Sequence, residues 1–338
     1  MKDRVKNNMK KQSASRSVKK PFLLSDLSKS DPATIYNRIK VRSDEKFRKS
    51  GQEEMARFLE RQFQAERRHL AERDRRVGPV YNELRAAVRQ SPELKRVVRA
   101  IDSLKRQPWP ERLPAAERQP FAPKKPMVRA GSIHIVDSLP FFPSVPWVWQ
   151  DGTSNQITGP TADGNTGDMS FEMSPGQSSS GHMACMTALG VTLEVPNQPC
   201  IIQFTASPSY NWSYFEFSDW WRETKGNMWI GQYVGVFNQA GTFLNNPINT
   251  QLSVASFDDN NLSDAGQDSG SNSAFPLESS LFVGAFPFFG DPEAQGGVIQ
   301  YWCWIGGSCN ADGSNAQSGC NLQMNANCSS LVIDIFDF

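Results

Sequence analysis

The sequence predicts an α + β multidomain protein: a basic N-terminal helical region, a Pro-rich linker, and a C-terminal all-β two-sheet sandwich of the jelly-roll kind. Three observations carry this. Residues 1–130 hold 34 Lys and Arg against 16 Asp and Glu, whereas residues 131–338 hold 2 against 19, so a net charge of +1 hides a basic half and an acidic half. The apolar period changes from about 3.6 to 2 between them, the signature of a helical segment followed by half-buried strands. Six prolines fall between Gln107 and Pro126, where missing N–H donors and a fixed φ disfavour both helix and ladder.

Residues 1–30 are rich in Lys, Arg, Ser and Asn with few apolar side chains, so burial cannot offset the entropy of ordering and a disordered basic tail is expected. Residues 31–106 form the basic helical region. Ser50 and Glu53 have the spacing of a capping box, and Met55, Leu59 and Phe63, flanked by Phe58, then recur on one helical face. The run Glu60–Arg76 alternates charge signs as a solvated face does, and Gly78-Pro79 is expected to stop the helix. Ser91-Pro92-Glu93 reads as an N-cap, a proline at the first helical position and an early carboxylate, opening a second helix with Leu94, Val97, Val98, Ile101 and Leu104 on one stripe. Arg67, Arg68, Arg73, Arg75 and Arg76 are the candidate anion-binding residues of this arm. Phosphates of a nucleic acid, an anionic lipid surface or an acidic protein surface would each answer the charge.

The linker, residues 107–126, could span roughly 60 Å if fully extended at about 3.1 Å per residue. Because charges are screened beyond about 8 Å at physiological salt, a semi-rigid spacer is expected to keep the arm available to an outside acidic partner or a neighbouring subunit.

Residues 127–338 form the acidic, aromatic-rich β domain. Short alternating runs separated by Gly, Asn, Asp, Ser and Pro give about eleven strands: Ile133–Ile135, Pro146–Gln150, Met169–Met173, Val191–Val195, Cys200–Thr205, Asn211–Phe217, Met228–Phe237, Gln251–Phe257, Leu281–Phe286, Gly297–Trp304 and Leu331–Phe338. No helical pattern intervenes, which favours a sandwich over an α/β fold. Eight of the nine tryptophans lie here. Large aromatics fill the space between sheets, or they present a stacking surface. On the second reading Tyr210, Trp212, Tyr214, Glu216, Asp219 and Trp220 are the candidate carbohydrate- or protein-binding residues.

Asp163, Asn165 and Asp168 in TADGNTGD, and Asp258 and Asp259 further on, are oxygen ligands on Gly-rich loops and the candidates for a calcium ion, although no EF-hand spacing is present and such residues also make ordinary turns. No other cofactor is expected. The six cysteines contain no C-x-x-C pair, which argues against structural zinc and leaves disulfides or buried thiols open. The N-terminal residues lack an apolar signal region and no apolar run approaches about 20 residues, so a cytoplasmic address or a non-classical export route is expected.

No nucleophile elbow, zincin or phosphate-loop motif occurs. A glycoside hydrolase would need paired carboxylates, for which Glu172 and Glu216 are the nearest suggestion. The favoured function is therefore non-enzymatic: a β-sandwich recognition domain, for a carbohydrate or a protein, on a basic helical arm. The alternative is a self-assembling structural protein, a homo-oligomer whose arms contact nucleic acid or neighbouring subunits, in the layout of many small viral shell proteins. A membrane-active protein is a third reading, through attraction of the basic helices to anionic lipid.

Overall fold

The computed structural model describes residues 45–97, 132–138, 144–150, 155–175, 181–194, 200–217, 224–259, 265–272, 277–283, 297–311 and 319–337. The tail, the linker, and Asp219 and Trp220 lie outside them. Among the described residues the chain is mostly β, in three sheets of antiparallel strands with one long helix.

Strands run in chain order β1 (Ser132–Ser138), β2 (Ser144–Gln150), β3 (Asn155–Asp163), β4 (Asp168–Pro175), β5 (Gly181–Glu194), β6 (Cys200–Ala206), β7 (Ser209–Phe217), β8 (Thr224–Phe237), β9 (Phe243–Asp259), β10 (Ala265–Asn272), β11 (Leu277–Val283), β12 (Val298–Ala311), β13 (Gly319–Asn327) and β14 (Ser330–Asp337). One sheet has the order β2-β5-β12-β8-β9, a second β10-β7-β13-β4-β3, and a third β1-β14-β6-β11. The second and third continue into one another. β6 and β7 are separated only by Ser207-Pro208, and their partners β14 and β13 only by Cys328-Ser329. Pro208 has no N–H to give a ladder, which explains the break at that point.

The core lies between the first sheet and the other two. Met169, Phe171 and Met173 from β4, with Leu322, Met324 and Ala326 from β13, face Leu189, Val191, Ile230, Val234, Tyr301 and Ile305 across it. Within β12 the odd positions Ile299, Tyr301, Cys303 and Ile305 point into this core, and the even positions point to the opposite face.

That opposite face carries the helix. α1 spans Glu45–Gln90, about 69 Å of continuous helix at 1.5 Å per residue. Ser50 is thus internal rather than a cap, and Gly78-Pro79 lies within the helix and does not end it. Proline removes one N–H bond and crowds one carbonyl, a local cost of about 3 kcal/mol that bends or weakens a long helix without having to terminate it. The second N-cap is where the sequence put it. Leu94 N–H donates to Ser91 Oγ (3.3 Å) and Lys95 N–H to the Ser91 carbonyl (3.1 Å), and residues 92–97 are helical. Leu94 and Val97 are 41% and 49% exposed there, and the remainder of their stripe lies outside the described residues.

Candidate functional site

The expected free arm is corrected at its first turns: residues 47–63 of α1 are seated on the outer face of the first sheet. Phe47, Met55, Phe58, Leu59 and Phe63 recur at helical spacing and are all buried. Going along α1, the partners step along β12: Phe47 clusters with Val298 and Phe237, then Met55, Phe58 and Leu59 with Trp302, Trp304, Tyr233, Met186 and Ala188. Phe58 lies 4.8 Å from the Tyr233 ring and meets Trp304 edge-on at 6.4 Å. Apolar burial therefore holds the helix, not the attraction between a basic and an acidic half that the charge count suggests.

The sheet makes the seat by alternating large and absent side chains. Trp302 lies beside Gly190 on β5, and Trp304 beside Gly231 on β8. A Cβ at Gly190 would come within 2.8 Å of the Trp302 ring, and one at Gly231 within 2.6 Å of the Trp304 ring. The helix approaches just as closely at Gly51, where a Cβ would overlap the Gln300 amide, whose Nε2 donates to the Phe47 carbonyl at 2.6 Å.

Electrostatics enter through Glu54, buried on the same helical face and paired with Arg61 at 2.7 Å and Arg57 at 3.5 Å. Burial first, then the Glu54 charge, pushes the Tyr233 phenol well above its ordinary value, with Arg61 acting the other way. At the start of the helix Lys46 Nζ donates to the Gln239 carbonyl (2.6 Å) in the β8–β9 turn, where Gly241 at φ 84° supplies the left-handed residue.

Past Trp304 the seam opens. The next even position of β12 is Gly306, flanked by Met186 on β5 and Trp229 on β8, so β12 puts no side chain between these two beneath Leu59 and Phe63. The result is a cleft of about 360 Å³, roofed by α1. Its walls include Trp229 and Trp304, and its polar groups are Gln62, Asn227, Gln251 and Ser253. Sequence reasoning missed this site because its parts are far apart in the chain; the available signal was the parity of Trp302, Trp304 and Gly306 on one strand face.

The aromatic platform expected on β7 is placed differently. Tyr210, Trp212, Tyr214 and Glu216 share the strand face that pairs with Ala326, Met324, Leu322 and Cys320, all buried. The three aromatic rings are half-buried against the core: Trp212 stacks on Tyr214 with centroids 6.0 Å apart, Tyr214 meets Phe257 at 4.7 Å, and a Cβ at Gly270 would touch the Trp212 ring at 2.8 Å. Burial raises the Tyr210 and Tyr214 phenols, and Glu216 and Asp268 raise Tyr214 further. Glu172 takes the opposite strand parity, alongside Gln323 and Ser213, so Glu172 and Glu216 lie on opposite faces of the sheet and cannot flank one glycosidic bond.

Of the calcium candidates, Asp163, Asn165 and Asp168 close the β3–β4 turn. Asp163 Oδ1 accepts the Asn165 N–H (2.8 Å), its carbonyl accepts the Gly167 N–H (2.8 Å), and Asp168 Oδ1 accepts Asn327 Nδ2 (2.6 Å). The Asp163 carboxylate serves the turn, and the Asp168 carboxylate ties it to β13. Asp258 and Asp259 end β9 opposite Lys225 and Thr224. Among the described residues no group of three or more His, Cys, Asp or Glu is arranged to hold a metal ion. Cys309 and Cys320 form a disulfide, and Cys185, Cys200, Cys303 and Cys328 are buried thiols. Of the arm arginines, Arg68, Arg75 and Arg76 are exposed on the distal helix, Arg76 bonded to Glu72 one turn back. Among the described residues no helix is long and apolar enough to cross a membrane.

No family model matches the sequence, and no curated protein matches it. Among solved structures, TmCBM61 in complex with β-1,4-galactotriose aligns at 8% identity over 57% of this chain and 88% of that one, with a TM-score of 0.13. The structure of infectious bursal disease virus Gx strain aligns at 10% identity over 56% of this chain and 39% of that one, with a TM-score of 0.11. Likenesses this slight bear on neither fold nor function.

Proposed function

We propose that this chain is a self-assembling, shell-type structural protein: a jelly-roll body that packs against copies of itself, with basic segments that contact nucleic acid. The jelly-roll reading rests on strand order. Counting β6–β7, β10–β11 and β13–β14 as single bent strands and beginning at β4 gives eight strands. Their sheets then run first-eighth-third-sixth and second-seventh-fourth-fifth, as in a jelly roll of two Greek keys. That connectivity serves shell, lectin and cupin domains alike, so function has to be argued from elsewhere on the molecule.

The observation that carries the proposal is the division of α1. Residues 47–63 are seated on the body, while every described side chain from Gln64 to Gln90 is exposed, Val80 at 64%. These described side chains share one helix face, so about 40 Å of helix, with Gly78-Pro79 in its middle, presents an exposed surface that bears Arg68, Arg75 and Arg76. A helix weakened by an internal proline gains most of its stability from packing on another surface. A neighbouring copy offers that surface, and the acidic bodies suit the exposed arginines of the helix. The recognition-module reading gives that exposed helix face nothing to do.

The two flanking stretches supply the nucleic-acid contact. Residues 1–44 carry 12 Lys and Arg against 4 Asp and Glu, and residues 91–130 carry 10 against 4. Phosphate contacts of this kind release counterions, so affinity falls steeply with salt. The test is binding of single-stranded RNA and DNA to the full-length protein across a salt series. The expected result is tight, sequence-independent binding whose logarithm declines linearly with log salt; absence of binding at low salt would refute the nucleic-acid part of the proposal.

A further inference from the structure

We propose that the cleft under α1 is a binding site for an uncharged sugar ring, independent of how the protein assembles. Its position is built into the strand pattern. Gln300, Trp302 and Trp304 fill successive even positions of β12 beneath the helix, and Gly306 then leaves one row empty between Met186 and Trp229. The space left, about 360 Å³, falls within the roughly 300–1,000 Å³ typical of small-molecule sites.

The lining defines the ligand by what it offers. Although 21% of the chain is charged, none of the described residues lining the cleft is Asp, Glu, Lys, Arg or His. An ionic ligand would lose its hydration there without gaining a counter-charge. A wholly apolar ligand is equally ill-matched. Trp304 is 1% exposed and its indole Nε1 has no hydrogen-bond partner, which is an unmet donor in a wall of the cleft. The remaining polar groups are neutral and able both to donate and to accept: the amides of Gln62, Asn227 and Gln251 and the hydroxyl of Ser253. The partly exposed Trp229 indole beside amides and a hydroxyl matches a pyranose, whose axial C–H face is apolar and whose rim is a ring of hydroxyls.

The test is a glycan array of neutral and acidic oligosaccharides probed with the full-length protein, followed by tryptophan-fluorescence titration of the bound neutral glycans. Two variants accompany it. W229A removes a wall; S253W changes an exposed rim residue, leaves the core untouched, and plugs the mouth, with circular dichroism as the check on folding. The expected result is saturable binding of neutral glycans, weakened at least ten-fold by S253W. No glycan binding, binding confined to acidic glycans, or binding unchanged in folded S253W would each overturn the assignment. A cleft that takes a neighbouring copy instead of a ligand would appear as the first of these.

Discussion

Replacing Phe58 by alanine removes the side chain at the centre of the seam between α1 and the sheet. The ring is 2% exposed, sits 4.8 Å from Tyr233 and meets Trp304 edge-on, so truncation loses apolar burial and both aromatic pairs and leaves a void beside the two partner rings. Substitutions of this kind cost about 3–5 kcal/mol. The five buried apolar residues of the docked segment together contribute up to about 15 kcal/mol at roughly 1.5–3 kcal/mol each, an upper figure because the undocked chain is itself partly compact. Surface charge pairs contribute about 0–1 kcal/mol apiece and are screened by salt. Urea unfolding followed by circular dichroism should therefore show F58A weaker by about 3–5 kcal/mol. Limited trypsin digestion should find Arg57 and Arg61 protected in the native protein and cleaved in F58A. Raising salt should not release the helix. A midpoint unchanged by F58A, or a helix freed by salt alone, would refute apolar docking.

Gly51→Ala should destabilise by about 1–3 kcal/mol despite alanine's better helix propensity, because the new methyl displaces the Gln300 amide from the Phe47 carbonyl; thermal denaturation measures it, and Gln300→Ala in the same chain should recover part of the loss. The Tyr233 and Tyr301 phenols are held above their ordinary value of 10.0, chiefly by burial. Below that pH they cost nothing, and above it the unfolded chain alone ionises, so stability should fall as pH rises past 10.0, with the ultraviolet tyrosinate signal of these two residues appearing only on unfolding. Because the Asp163 carboxylate is engaged in its own turn and the Asp168 carboxylate with Asn327 on β13, millimolar Ca²⁺ should leave the melting temperature unchanged, and a clear upward shift would show that the turn binds the ion. Cys185, Cys200, Cys303 and Cys328 should resist thiol reagents until denaturant is added, since all are buried and the Cys185 and Cys303 thiols are pushed well above their usual range.

The antiparallel β body was legible because Ile133, Ile135, Met169, Phe171, Met173, Val191 and Leu193 alternate with polar residues, and alternation is a property of one strand face read locally. β10 and β13 were not. AGQDSGSN reads as a turn-forming loop, and GCNLQMNAN alternates Leu322, Met324 and Ala326 with polar Asn and Gln, a pattern diluted by the turn-like composition around it. β5 begins at Gly181, ten residues before its alternating stretch, because both of its faces are covered and a doubly buried strand has no polar side. Gly78-Pro79 has the composition of a stop, but whether a proline ends a helix depends on what the helix packs against. The docked face was visible as Met55, Leu59 and Phe63, while its acceptor was not, since Gly190, Gly231 and Gly306 acquire meaning only once β5, β8 and β12 are side by side. Charge gave the opposite answer from packing: +18 against −17 suggested mutual attraction or a free arm, and the contact is made by Phe, Met and Trp.

Sedimentation velocity of the full-length protein tests self-assembly most directly. The expected result is a discrete species many times the 37.8 kDa chain mass, shifting toward smaller species when Val80 and the exposed Arg75 and Arg76 on the distal half of α1 are replaced by glutamate. A single 37.8 kDa monomer at every salt concentration, with and without added nucleic acid, would contradict it.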